Sequence, residues 1–209
     1  MAKIKMSKNV GAIDMTAMCD VAFLLLTFFI LTATAKTPEA LPVTTPSSTV
    51  KNKLPDTGLV LITVGSSEGK DKVFFGMKDR DVRQKTLELM GEKYGVKFSD
   101  KEYQQFSLIE EFGVPINVLN SIINMNSTDR SKPGVQSGIP LDSLDNQLKD
   151  WVYTARQANI ELGKEKELSF AIKGDAKQQY PKIKKVMDIL QDQKINSFDL
   201  VTGARGKDY

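Results

Sequence analysis

The 209-residue sequence has no histidine and a single cysteine, Cys19. Without histidine there is no Ser-His-Asp triad, no Cys-His pair and no His-ligated metal. One cysteine excludes an internal disulfide framework and a cysteine-only zinc site. Charge of one sign is also missing: 29 Lys and Arg face 26 Asp and Glu, a formal net charge of +3. Mixed signs spread along the chain leave no footprint for a polyanion, so nucleic acid is not expected as a partner. There is no P-loop, no G-x-S-x-G nucleophile elbow and no EF-hand spacing. No cofactor and no metal are expected, and a soluble enzyme is the weakest class. What chemistry there is rests on carboxylates.

One segment departs from the mildly polar average. Residues 15–35 read MTAMCDVAFLLLTFFILTATA, 21 residues with one formal charge, Asp20. A helix of that length spans about 30 Å, the thickness of a bilayer core. Between Val21 and Leu31 lie nine Val, Phe, Leu or Ile residues, together about −3 to −5 kcal/mol on the membrane-insertion scale. An Asp costs about +2.5 to +3.5 on the same scale, less near an end. Insertion therefore tolerates Asp20 without requiring it. At 100° per residue, Thr16, Asp20, Thr27 and Thr34 fall within about 40° of one another, with Thr32 outside the stripe. Lipid offers such groups no partner, so a narrow polar stripe faces protein or water. A threonine that bonds its own i−4 carbonyl, and an Asp that snorkels to the interface, are the plainer explanations.

Two readings of this segment stay open. Lys3, Lys5 and Lys8 precede it, and Ala33-Thr34-Ala35 follows with the form of a signal-peptidase site. Its length, its central acid and the missing helix breaker before Ala33 favour an uncleaved anchor. The lysine bias favours a cytoplasmic N-terminus over residues 1–14.

Residues 36–57 hold four of the eight prolines and many Ser and Thr. No period survives there, so an extended linker is expected. Beyond it, residues 58–209 read as a small α+β domain. Leu59–Val64 is expected as a buried strand, 65–72 as a turn and Val73–Phe75 as its hairpin partner. Asp79 is placed to cap a helix reaching Met90. Ser99 with Glu102 has the capping-box form for a helix through Phe106 to about Gly113. Pro115 suits the first turn of another short helix. Residues 126–140 are expected as a polar loop, followed by a helix from Asp142 to Leu162 with Leu144, Leu148, Trp151, Val152 and Ala155 at core spacing. Strand 168–172, helix 181–193 and strand 198–202 make a βαβ-type ending. Gly174-Asp175 is a turn and cap, or a catalytic acid after a strand. The charged runs 164–167 and 182–185 are expected as solvated faces.

The stretch from Ile13 to Phe29, IDMTAMCDVAFLLLTFF, resembles the single transmembrane segment of the ExbD/TolR family of biopolymer-transport proteins. That segment carries a Thr-Pro motif, two residues, an Asp and a Leu/Ile/Val/Phe run. The tail is similar too, through Ile172-Lys173-Gly174-Asp175, Tyr180, Val186–Leu190 and Phe198–Thr202. Ala17 stands where the family usually has Pro, and residues 91–163 look like an insertion relative to shorter members. The resemblance implies a bacterial inner-membrane protein with a periplasmic domain. It would act as a dimer within a ring of an ExbB- or TolQ-like polytopic protein, driven by the proton-motive force and acting on a TonB- or TolA-like partner. Asp20 would then carry the proton, and Thr27 and Thr34 would face the ring lumen. An anchored envelope scaffold, with Asp20 merely structural, is the alternative from another class.

Overall fold

The computed structural model describes residues 15–33, 39–48, 53–67, 69–142, 145–176 and 179–204. The chain divides into two compact units, Met1–Thr37 and Pro38–Tyr209. In the first, Met15–Thr32 forms one helix, α1. Thr34, Lys3, Lys5, Lys8 and Leu144 lie outside the described residues.

In the second unit, β1 (Ser47–Ser48) precedes the hairpin β2 (Leu59–Ser67) and β3 (Lys70–Met77). Helices α2 (Arg80–Tyr94) and α3 (Asp100–Ser107), strand β4 (Glu111–Phe112), a 3-10 turn (Ile116–Val118), α4 (Leu119–Ile123) and α5 (Ser127–Arg130) follow. The chain ends with α6 (Gln147–Glu161), β5 (Ser169–Gly174), α7 (Tyr180–Asp192), β6 (Phe198–Val201) and β7 (Gly203–Ala204). This is the α+β class expected from the sequence. The main sheet has the order β4-β3-β2-β5-β6. Strands β2, β5 and β6 run parallel, while β3 and β4 are antiparallel to their neighbours.

Period-2 alternation decides which face is the main core. Val60 lies opposite Met77 and Phe170, and Ile62 opposite Phe75 and Ile172. All of these are buried in one apolar cluster with Leu87 and Met90 of α2, Trp151 and Val152 of α6, and Val186 and Leu190 of α7. The other face carries Thr63, Gly65, Lys72 and Phe74, also buried. Leu41 and Val43 of the proline-rich segment pack over Gly65, where an added Cβ would stand 2.6 Å from Val43 Cγ1 and 3.0 Å from Leu41 Cδ2.

That segment is extended but held. Thr44 accepts a hydrogen bond from the Ala176 N–H (2.7 Å) and Pro46 one from the Gly203 N–H (2.8 Å), and β1 pairs in parallel with β7. Gly65→Val is expected to displace it, since overpacking of this kind costs about 1–3 kcal/mol. Amide exchange at Ala176 and Gly203 should then quicken roughly tenfold or more, with β2 amides little changed. Unaltered exchange at both would contradict the docking.

Several boundaries differ from expectation for physical reasons. The hairpin turn is confined to 67–70, because Gly65↔Lys72, Ser66↔Asp71 and Ser67↔Lys70 continue the ladder. Helix α2 runs four residues past Met90 and stops at Gly95, whose φ of 69° suits glycine. Asp79 precedes α2 but makes no side-chain cap; its carboxylate accepts from the Gly58 N–H (3.1 Å) and pairs with Lys164 (3.1 Å). Lys164, expected as solvated, also reaches Asp81 at 2.8 Å. The Ser99–Glu102 capping box is present as expected. Helix α3 ends at Ser107, and the chain turns back to add β4 to the edge of β3. The loop 126–140 is anchored: Gln136 is buried and accepts from the Gly113 N–H at 2.7 Å, and the Ile139 N–H bonds Val73 O at 2.9 Å. Helix α6 begins at Gln147, later than expected, because Asn146 caps it by accepting from the Lys149 N–H.

Candidate functional site

Helix α1 contains neither proline nor glycine, and its 18 residues span about 27 Å. It is long and apolar enough to cross a membrane, and none of its residues is buried. Phe23, Leu24, Phe28, Phe29 and Leu31 all stand exposed, a sleeve suited to lipid or to other helices and costly in water.

Asp20 is the sixth residue of this helix, about 7.5 Å from its start. It is exposed, and among the described residues its carboxylate has no hydrogen bond or ion pair. The regular helix keeps Thr16, Asp20 and Thr27 on one side, with Phe23 and Ile30 flanking them and Met18, Leu25 and Phe29 opposite. Thr27 donates its hydroxyl to the Leu24 carbonyl at 2.9 Å, and Thr32 donates to Phe28 at 2.8 Å. Both threonines are therefore satisfied within the helix, which permits either to face an apolar neighbour. Thr16 also has a partner. Among the described residues of the stripe, Asp20 alone has a side chain without a partner.

In the folded unit, Gly174 ends β5 and Asp175 follows it directly. The Asp175 N–H bonds Val64 O at 3.0 Å, and the next amide bonds the proline-rich segment. No group of three or more His, Cys, Asp or Glu fit to hold a metal occurs among the described residues.

The family model of the biopolymer transport protein ExbD/TolR matches residues 6–205. The chain belongs to the ExbD/TolR family. No curated protein and no solved structure matches it. The apolar helix with an acid in its second turn is thereby the membrane span of an ExbD/TolR protein, single-pass in the inner membrane and serving biopolymer transport.

The folded unit of this ExbD/TolR chain holds a charge cluster that sequence reasoning missed. Strand β4 directs Phe112 into the core and places Glu111 opposite Gly76. A Cβ at Gly76 would stand 2.6 Å from the Glu110 carbonyl oxygen, so only glycine allows this approach. Lys173 of β5 pairs with Glu39 of the proline-rich segment at 2.8 Å. Burial raises the Glu111 carboxyl above the ordinary glutamate value, while the Thr63 hydroxyl and the Lys173 ammonium pull it down. No motif marks Glu111, because its surroundings come from four separate segments.

The raised value has a consequence for stability. The folded chain still holds the Glu111 proton at a pH where the unfolded chain has released it, so stability falls as pH rises through that interval. Glu111→Gln removes this loss. Its thermal midpoint is expected above wild type at neutral pH, the difference closing as pH drops below the ordinary glutamate range. Parallel midpoint profiles between pH 4 and 8 would show that Glu111 contributes nothing of the kind.

Proposed function

We propose that this ExbD/TolR chain is the proton-driven subunit of an inner-membrane motor. Asp20 takes up and releases protons moving down the proton-motive force. The observation that carries this reading is an unmatched carboxylate in a membrane helix where Thr27 and Thr32 are satisfied by their own helix. Desolvation favours the neutral form of a carboxyl, so an Asp alternating between wet and dry surroundings binds and releases a proton. Carrying one charge across the membrane supplies about 2.3 kcal/mol per 100 mV.

One helix with one acid makes no complete proton path. Other helices must provide the remaining walls, which is the role given to a second copy of the chain and an enclosing ExbB- or TolQ-like protein. Residues 1–14 lie in the cytoplasm, 15–35 span the membrane, 36–57 link, and 58–209 form the periplasmic domain, with 91–163 added to the shorter family pattern. In this arrangement Thr16, Thr27 and Thr34 line the ring lumen beside Asp20. Motion passes through the linker to a TonB- or TolA-like protein that energises transport across the outer membrane.

Affinity purification of tagged full-length protein from detergent-solubilised membranes tests the assembly. A polytopic membrane partner and an intact N-terminus are expected. A soluble chain that has lost residues 1–35 would overturn the proposal and reinstate the cleaved-signal reading.

A further inference from the structure

Lys72 of β3 is a cation with 5 % exposure. Its ammonium has no hydrogen bond and no ion pair among the described residues. It sits on the sheet face opposite the main core, across from Gly65, and lines a cleft of about 90 Å³. Three segments far apart in sequence close that cleft. The proline-rich segment supplies Leu41 and Pro42, the hairpin Ser66, Ser67 and Phe74, and the 126–140 loop Ser131, Lys132 and Pro133.

Acids of these and neighbouring segments are engaged elsewhere. Glu39 pairs with Lys173 at 2.8 Å, Asp129 with Lys132 at 2.6 Å, and Asp71 with Lys182 at 3.0 Å. The cleft is also built in advance. Gln136 spans the Gly113 N–H (2.7 Å) and the Arg130 carbonyl (3.1 Å), fixing the loop wall. Gly113 lies flat on the Phe74 ring, where a Cβ would stand 2.6 Å from Cγ. The stem of Lys72 is buried while its ammonium keeps contact with solvent, so an anion entering the cleft gains a charge-assisted hydrogen bond from it.

We propose that this cleft binds the side-chain carboxylate of an acidic polypeptide segment, with Lys72 as the cationic anchor. The lining selects this ligand. Apolar Leu41, Pro42 and Phe74 meet its methylene, and the serine hydroxyls supply donors for the second carboxylate oxygen. The cleft opens to solvent, which leaves room for the chain that carries the carboxylate. Because the proline-rich segment forms one wall, occupancy also fixes that segment against the sheet. The proposal is independent of Asp20.

The test uses full-length protein in nonionic detergent, titrated with the capped peptide acetyl-Gly-Asp-Gly-amide and followed by NMR of the backbone amides. Its Asn counterpart and inorganic phosphate are titrated alongside. Shifts at Lys72, Ser66 and Ser131 are expected with the Asp peptide alone. Loss of a charge-assisted hydrogen bond in Lys72→Met should weaken binding roughly 10- to 100-fold. A second measurement needs no variant: in the wild-type chain, the Asp peptide should protect Lys72 from reductive methylation, read by mass spectrometry. Equal binding of the Asn peptide, tighter binding of phosphate, unchanged binding to Lys72→Met, or unprotected Lys72 would each overturn the assignment.

Discussion

Asp20→Asn is expected to abolish energised uptake, leaving it at the level of cells whose proton-motive force has been collapsed, while the protein still inserts and still co-purifies with its membrane partner. Asn keeps the shape of the side chain and removes its ability to carry a proton, so it separates chemistry from packing. Asn carries no charge into the membrane and so does not hinder insertion relative to Asp, and a loss of uptake could not be ascribed to failed insertion. Asp20→Glu retains the acid but moves it by one methylene, and intermediate uptake is expected. Thr27→Val should have the smallest effect of the three, because the Thr27 hydroxyl is already satisfied by Leu24 at 2.9 Å. The measurements are uptake in whole cells, with membrane levels and partner recovery determined in the same samples. Full uptake by Asp20→Asn at normal protein levels would leave the acid a structural one and favour the anchored scaffold.

How much of this was legible in the sequence depended on how local the cause was. Helix α1 was visible because apolar composition, length and the lone acid all lie in one stretch. The capping box at Ser99 and Glu102, and the end of α6 next to Gly163, were also legible, since each is decided within a few residues. The failures share the opposite property. Strand β4 is two residues long and exists because Phe75 and Gly76 offer it an edge. Asp79 stands where a cap belongs, yet its carboxylate is taken by Gly58 and Lys164. The docking of Leu41 and Val43 depends on the absence of a side chain at Gly65. The Glu111 and Lys72 environments are each assembled from segments scattered across the fold. A one-dimensional pattern carries no sign of such meetings, whereas the stripe containing Asp20 repeats along a single helix.

Trp151→Ala is expected to have the largest effect on the stability of the folded unit, and it bears on residues 91–163. Trp151 has 0 % exposure and meets three aromatic rings, with centroids 4.8 Å from Phe112, 6.1 Å from Phe75 and 6.3 Å from Phe106. Phe75 belongs to the hairpin, while Phe106, Phe112 and Trp151 lie within 91–163. Truncating such a side chain costs about 3–5 kcal/mol. At about 2–4 °C per kcal/mol for a chain of this size, the thermal midpoint should fall by on the order of 10 °C, read by far-ultraviolet circular dichroism. Trp151→Phe should cost much less, because the indole Nε1 has no hydrogen-bond partner to lose. The region 91–163 is therefore not an appendage resting on a finished domain. It supplies α6, whose Trp151 packs against Phe75 of the hairpin, and the edge strand β4, which extends the sheet beside β3. Removing 91–163 would uncover Phe75 and take the Phe106–Phe112–Trp151 ring cluster out of the core, so its deletion is expected to unfold the unit rather than yield a shorter working one. A deletion variant that still melts cooperatively, with wild-type exchange protection in β2, would refute this view of the core.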